Sequence, residues 1–197
     1  MRSIALPLLA LVSFGCASPS PAETPPPGLD PIWAREMRAG LDALELGRPE
    51  AAERRFQRAL DVARETELPS DELAFSLYYL ADAIGRSHPR DRMRADRAES
   101  LFEEARVELE RAYGPAHPVL MPVYERLAAL RTRAGDKRGA AALRTAGDRI
   151  AARFFPQHHF LRERFGGASP AAILQPLQVL QLLATAEAST DESVAAR

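Results

Sequence analysis

Two ten-residue stretches in the middle of the chain share one spacing of small and aromatic residues. Each contains an alanine, a phenylalanine four residues after it, and a second alanine three residues after the phenylalanine. Residues at these spacings lie on one face of an α-helix, because four and seven residues are close to one and two helical turns. We therefore expect helices that pack against each other, with alanine wherever two of them approach closely. The two sets are Ala52, Phe56 and Ala59 in AAERRFQRAL, and Ala98, Phe102 and Ala105 in RAESLFEEAR.

Further small residues precede the alanines at fixed distances. Gly40 lies 12 residues before Ala52, and Ala128 lies 12 residues before Ala140. A glycine also lies five residues before Ala52, and another lies five residues before Ala140. This arrangement predicts units made of a helix, a turn that contains glycine, and a second helix. Strands are not expected, because β-branched residues are scarce and apolar residues do not alternate.

These residues resemble the tetratricopeptide repeat, and AYGPAHP followed by VYERLAAL resembles the kinesin-light-chain type of that repeat. The resemblance implies an all-α fold, a short solenoid of about three helix-turn-helix repeats over residues 32–153 with a C-terminal capping helix. It also implies that small residues lie where paired helices meet. The alternative is a generic α-helical bundle. The structural repeat positions implied by the resemblance are Gly40, Ala52, Phe56, Ala59, Ala81, Ala98, Phe102, Ala105, Ala128 and Ala140.

The second and third units depart from the spacing of that family. Ala81 and Ala98 are 17 residues apart, and the excess falls in GRSHPRDRMR, which we interpret as a polar loop around Pro89. The third unit has Arg144 at its aromatic position and Gly147 at its last small position. Such degeneracy is typical of a terminal repeat, since its outer face meets water.

The chain begins with MRSIALPLLALVSFGC, which contains a basic residue, an apolar run and the only cysteine. The run is too short to span a hydrocarbon core of about 30 Å, and we interpret residues 1–15 as a signal peptide. The position of Cys16 resembles the lipobox of bacterial lipoproteins, which implies a lipidated protein of the outer membrane that faces the periplasm. An ordinary signal peptide, which gives a soluble secreted or periplasmic protein, is the alternative. Residues 16–31 are rich in proline and are predicted to form an extended tether.

Residues 154–187 are predicted to be a C-terminal extension that contains an apolar helix. Prolines and glycines interrupt its first half, and AAILQPLQVLQLLATAEA then places apolar residues at helical spacing. Three interpretations of this helix stay open: it caps the last repeat, it binds a partner or a second copy, or it is loosely attached. Residues 188–197 are predicted to be a disordered tail.

The composition argues against several functional classes. Basic and acidic residues nearly balance, at 26 and 27, and Lys137 is the only lysine. The arginines are interspersed with acids, which favours a salt-bridged surface over a nucleic-acid interface. The four histidines lack the spacing of a metal site, and no nucleophile or phosphate-loop motif is present. We therefore expect no catalysis, metal, cofactor or small-molecule substrate, and we expect acidic pairs such as Asp71–Glu72 to be solvated.

Function is then expected to depend on a surface that binds a protein or peptide. The resemblance implies that the first helix of each repeat lines a groove, apolar at its beginning and of mixed charge at its end. The leading hypothesis is a non-enzymatic lipoprotein adaptor that supports assembly of an envelope complex and touches the membrane only through its lipid anchor. The alternatives are a regulatory subunit of a periplasmic enzyme and a self-associating structural protein. The implied groove positions are Met37, Leu41, Leu44, Phe75, Tyr78, Asp82, Arg86, Glu125, Thr132 and Arg133.

Overall fold

A computed structural model of the protein describes residues 30–154 and 175–180. All regular secondary structure in these ranges is helical, which confirms the predicted all-α class. The predicted signal peptide, Cys16, nearly all of the tether, most of the C-terminal extension and the predicted tail lie outside the described residues. Residues 176–180 form a short helical turn. The other helices are α1 (Pro31–Glu45), α2 (Pro49–Glu65), α3 (Ser70–Ser87), α4 (Arg92–Tyr113), the 3-10 helix η1 (Pro118–Leu120), α5 (Met121–Arg133) and α6 (Lys137–Phe154).

Side chains that accept hydrogen bonds from free backbone N–H groups mark where two of the helices begin. The Asp30 carboxylate accepts from the N–H groups of Ile32 and Trp33, at 2.8 and 2.9 Å. The proline that follows Asp30 occupies a position where no N–H partner is needed. At the start of η1, the His117 ring accepts from the N–H of Val119 at 3.2 Å. Both starts are therefore fixed by local sequence.

The turns of the first and last helix pairs have the same backbone hydrogen bonds. In both, the N–H of the glycine donates to the carbonyl three residues earlier, and the next N–H donates to the carbonyl five residues earlier. These four bonds measure 2.8 to 3.1 Å. Gly47 has a φ of +67° and Gly135 a φ of +88°, and glycine adopts such values without steric cost. The predicted pattern of helix, glycine turn and helix is confirmed in both pairs.

The connection between α3 and α4 differs from the prediction. The stretch GRSHPRDRMR was expected to be an inserted loop, but only residues 88–91 lie outside the helices. The Asp91 carboxylate accepts from the N–H of Arg94 at 3.2 Å and so starts α4 within the stretch. The additional residues therefore mainly lengthen the two helices, because local capping competes successfully with a longer loop.

Consecutive helices pack against each other, and side chains also link alternate helices. The indole N–H of Trp33 in α1 donates to the Ser76 hydroxyl in α3 at 2.7 Å. The guanidinium Nε of Arg126 in α5 lies 3.2 Å from Oδ1 of Asp82 in α3. Helices α1, α3 and α5 therefore share one layer of the fold, and the surface of this layer is called the α1–α3–α5 face below.

A second layer contains α2 and α4, which are joined by ion pairs. Arg64 lies 2.9 Å from Glu104, and Arg94 lies 2.9 Å from Glu53. These pairs confirm the predicted salt-bridged surface. They are partly exposed, so each is worth at most about 1 kcal/mol, and the apolar interior between the layers supplies most of the stability.

All ten residues at the predicted repeat positions are buried. The tightest approach among them joins α1 to α2: a Cβ added to Gly40 would lie 2.4 Å from Cε1 of Phe56. Because no real Cβ tolerates that distance, only glycine at position 40 lets the Phe56 ring approach the α1 backbone so closely.

Candidate functional site

Helix α3 is enclosed on every side along most of its length. Eleven consecutive residues, 74–84, are buried, although a helix at a protein surface normally buries only one stripe. Such a helix needs neighbours around its whole circumference. The identity of those neighbours shows what the α1–α3–α5 face is made of.

Helices α2 and α4 cover α3 from the second layer with aromatic rings. The Phe56 ring stacks on the Tyr79 ring, with centroids 5.4 Å apart. The Phe102 ring meets the Tyr78 ring edge-on at 5.2 Å, and Tyr78 meets Tyr79 in the same way at 5.2 Å. Two of the predicted repeat aromatics thus contact adjacent tyrosines of α3, and each such ring pair adds about 0.5–1.5 kcal/mol to its burial.

A charged cluster covers α3 toward its C-terminal end. The buried carboxylate of Asp82 is approached by two guanidinium groups, from Arg86 at 2.8 Å and from Arg126 at 3.2 Å. Burial also raises the pKa of the neighbouring Tyr78 hydroxyl, which stays protonated at physiological pH. The buried Asp82 carboxylate is thus paired with two arginines.

Residues 175–180, called the C-terminal segment below, are part of the same core. Leu177, Val179 and Leu180 are only 3%, 0% and 4% exposed. Pro176 is buried as well, whereas Gln178 is exposed. In a helical turn these buried residues point in several directions, so the segment is inserted among other side chains rather than laid on a flat surface.

The C-terminal segment lies beside Tyr79 of α3. The backbone of Leu177 is hydrogen-bonded to the Tyr79 hydroxyl, whose pKa burial raises well above its usual value. Residue 79 is four residues after Phe75 and three before Asp82, so these three residues share one stripe of the helix. The segment therefore approaches the stripe of α3 that carries two predicted groove positions. This contact is on α3, whereas one of the three interpretations of the segment placed it as a cap on the last predicted repeat.

The free energy that holds the C-terminal segment in place is small. Burial of its three aliphatic side chains contributes about 1.5–3 kcal/mol for each. Ordering its six residues costs about 1.5 kcal/mol for each, which offsets the whole of that gain. The side-chain oxygen of Gln175 is buried without a hydrogen-bond partner in the described part of the chain, at a further cost of about 1–3 kcal/mol. The aliphatic side chains of the segment therefore do not by themselves hold it firmly in place.

The predicted groove positions fall into three groups according to burial. Met37, Phe75, Tyr78 and Asp82 are buried within the chain itself, so in this conformation they do not offer an open surface. Leu41, Leu44 and Glu125 are half-buried, and Arg86, Thr132 and Arg133 are exposed. The sequence could not distinguish these groups, because their burial depends on contacts between helices that are distant along the chain, such as Tyr78 with Phe102 and Asp82 with Arg126.

The acidic pair at the start of α3 is buried, and the expectation that it is solvated is wrong. Asp71 and Glu72 are each 4% exposed. The Tyr113 hydroxyl, from the end of α4, donates to Asp71 Oδ2 at 3.2 Å. Burial, the hydrogen bond to Asp71 and repulsion by its charge together raise the pKa of Glu72 to about 8. Spacing alone could not reveal this pair, because the residue that covers it is more than 40 positions away.

The turn before η1 is held by an aromatic contact. The His117 ring stacks on Tyr113 with centroids 4.9 Å apart, and burial lowers the pKa of His117. This side chain therefore joins α4 to η1.

Neither a cluster of metal ligands nor a membrane-spanning helix occurs among the residues that the structure describes. Within 30–154 and 175–180, His, Cys, Asp and Glu side chains do not gather in threes as metal ligands. In the same ranges, no helix combines the length and apolar character that crossing a bilayer requires. Comparisons of the chain with protein-family models, with curated proteins and with solved structures find no match.

Proposed function

We propose that the protein is a non-enzymatic adaptor whose α1–α3–α5 face binds a segment of another protein. In this proposal the helix pairs are repeats of the tetratricopeptide type, arranged as a short solenoid. Cys16 carries a lipid that anchors the adaptor to the outer membrane, and the bound partner belongs to an envelope complex that the adaptor helps to assemble.

One observation carries the proposal: α3 presents an apolar stripe to a short helical segment from elsewhere in the chain. The chemistry of the face suits an apolar helix, since the segment that contacts Tyr79 buries Leu177, Val179 and Leu180 almost completely. Recognition of a helix in an apolar groove is a common mode of protein–protein binding. The identical glycine turns of the first and last pairs support the repeat interpretation.

The proposed binding face can be tested by site-specific crosslinking in intact envelopes. A photoreactive amino acid at Arg86 or Arg133 replaces an exposed residue at a predicted groove position, and one at Arg58 lies on the exposed surface of α2 as a matched control. We expect the first two positions to capture the same protein and Arg58 not to capture it. Equal capture from all three positions, or capture from none, contradicts the proposal. Capture of a peptidase, synthase or kinase favours the regulatory-subunit alternative.

The proposed lipid anchor has a separate test. Cells that express the protein are labelled with a radioactive fatty acid, and the protein is then isolated. Label is expected in the wild type and not in Cys16→Ser. Label that persists in the variant removes the anchor from the proposal and leaves the binding face unaffected.

A further inference from the structure

We propose that the C-terminal segment is an internal ligand: it occupies the partner-binding site on the α1–α3–α5 face, and a partner binds by replacing it with an apolar helical segment of its own. This inference rests on the proposed function and names both the kind of partner segment and the event that exposes its site.

The burial pattern indicates a groove that is filled rather than a surface that is covered. A helical turn lying on a flat surface buries residues on one side only. Here Pro176, Leu177, Val179 and Leu180 are buried and Gln178 is exposed, so walls enclose the turn on several sides. The Tyr79 side chain, whose hydroxyl contacts the segment, is only 2% exposed, so removing the segment uncovers this hydroxyl on α3.

The segment shows which chemistry the site accepts. The stretch Gln175–Leu180 carries no charge, and its buried side chains are aliphatic. A charged side chain at position 177, 179 or 180 would be buried, and burying a charge is costly unless it is paired. The site therefore selects an uncharged helical turn with aliphatic residues at relative positions 1, 3 and 4.

One polar contact gives the site a preference for the first turn of a bound helix. Leu177 lies in the first turn of its helix, where backbone N–H groups have no partner within the helix. The Tyr79 hydroxyl hydrogen-bonds to the backbone at this residue. Any helical segment that enters with its first turn can make the same contact, because it involves no side chain of the ligand. By contrast, the buried oxygen of Gln175 has no partner within the described residues, so a segment without an amide there fits better.

The test measures binding of a fluorescein-labelled peptide of residues 171–188 to the full chain by fluorescence anisotropy. The double variant Leu177→Asp/Leu180→Asp places two charges at buried positions and expels the segment. The matched control Gln178→Asp adds a charge at the exposed position. We expect the double variant to bind the peptide at least ten times more tightly than the wild type and the control. Equal affinity in all three proteins overturns the proposal.

Trp33, the only tryptophan, is buried against Ser76 and reports whether the variants remain folded. Should its emission move to that of a solvated indole in the double variant, the wild type is used instead. Excess unlabelled peptide is then expected to accelerate hydrogen exchange at the N–H of Val179, which bonds to the Gln175 carbonyl at 3.0 Å. Unchanged exchange at saturating peptide overturns the proposal.

These outcomes are separable from those of the proposed function. Failure of peptide exchange leaves capture of a partner by the crosslinking positions unaffected. If the peptide exchanges but crosslinking captures no partner, the site binds only the C-terminal segment of this chain and the proposed function is wrong.

Discussion

Helices α3 and α6 have the same length, 18 residues, and opposite surroundings. Thirteen residues of α3 are buried, whereas over residues 137–153 of α6 only Ala140, Gly147 and Ile150 are buried. Helix α3 contacts α1, α2, α4, α5 and the C-terminal segment through named side chains. Helix α6 packs on α5, and Arg144 extends from its surface to Glu125 at 3.7 Å.

The comparison of α3 with α6 separates two features of the repeat pattern: the geometry of the turn between paired helices and the side chains that fill the space between them. The turn that joins two helices has the same backbone geometry in the first and last pairs. The side chain between the two helices differs. In the first pair Phe56 packs against α1, whereas in the last pair the corresponding residue is Arg144. Helix pairing therefore follows from glycine and alanine, while burial follows from the aromatic residues that fill the space between the helices.

The largest difference is expected when the filling side chains are truncated. Phe56→Ala removes a completely buried ring from between Gly40 and Tyr79 and should lower the free energy of unfolding by about 3–5 kcal/mol. Arg144→Ala, at the corresponding position of the last pair, should lower it by no more than about 0.5 kcal/mol, because its ion pair is exposed. Urea denaturation measures both. Similar losses in the two variants would remove the distinction between the enclosed and the open end.

A pair of glycine substitutions tests the closest helix approach. Gly40→Ala should destabilise the protein by about 1–3 kcal/mol, because its Cβ collides with the Phe56 ring. Gly85→Ala, also within a helix, meets no atom within 4 Å and should stabilise the protein by about 0.5–1 kcal/mol through helix propensity. The check is the sign of the two changes in melting temperature. A stabilising Gly40→Ala contradicts the described contact.

The buried acid of α3 gives a pH-dependent prediction. The pKa of Glu72 is near 4.5 when unfolded and about 8 when folded, so the folded state binds a proton that the unfolded state has released between these values. The free energy of unfolding should therefore fall as pH rises from 4.5 to 8 and level off above that. Glu72→Gln should be more stable than the wild type by about 1–3 kcal/mol at pH 9 and nearly equal at pH 4.

The matched control for this prediction is Glu65→Gln, which alters an exposed carboxylate. Denaturation curves at several pH values should have the same pH dependence in this variant as in the wild type. A difference between Glu72→Gln and the wild type that does not change with pH argues against a buried, protonated Glu72.

A modest effect, equal at both ends of the molecule, is expected at the turns. Gly47→Ala and Gly135→Ala each force a side chain into positive φ with no other contact within 4 Å. Each should cost about 1 kcal/mol, since left-handed backbone is unfavourable for residues with a Cβ. Thermal unfolding of the two variants should give matching losses. Clearly unequal decreases in melting temperature would show that the stability of each turn depends on the side chains packed between its two helices.

The parts of the fold that the sequence predicts well are those determined by nearby residues. Asp30 followed by proline predicts a helix start, and Gly47 and Gly135 predict turns, because capping and positive φ act within a few positions. The small residues at fixed spacing also predict which positions are buried. The first helix pair could therefore be drawn from the sequence almost completely.

The parts that escaped prediction depend on distant residues. The covering of Glu72 by Tyr113, the bond from Trp33 to Ser76 and the contact of Leu177 with Tyr79 each join residues about 40 to 100 positions apart. A charged residue at a helix start is normally solvated, and an apolar helix near the end of a chain normally caps the neighbouring helix. Both expectations depend on which surfaces remain exposed in the folded chain. The spacing of residues within one helix does not predict this.

The central claim is that the C-terminal segment encloses α3 in the isolated protein, and nuclear Overhauser spectroscopy tests it most directly. With the full chain isotopically labelled, we predict cross-peaks between the amide proton of Leu177 and the ring protons of Tyr79. Random-coil chemical shifts throughout residues 175–180, without any cross-peak to the Tyr79 ring, would contradict the claim.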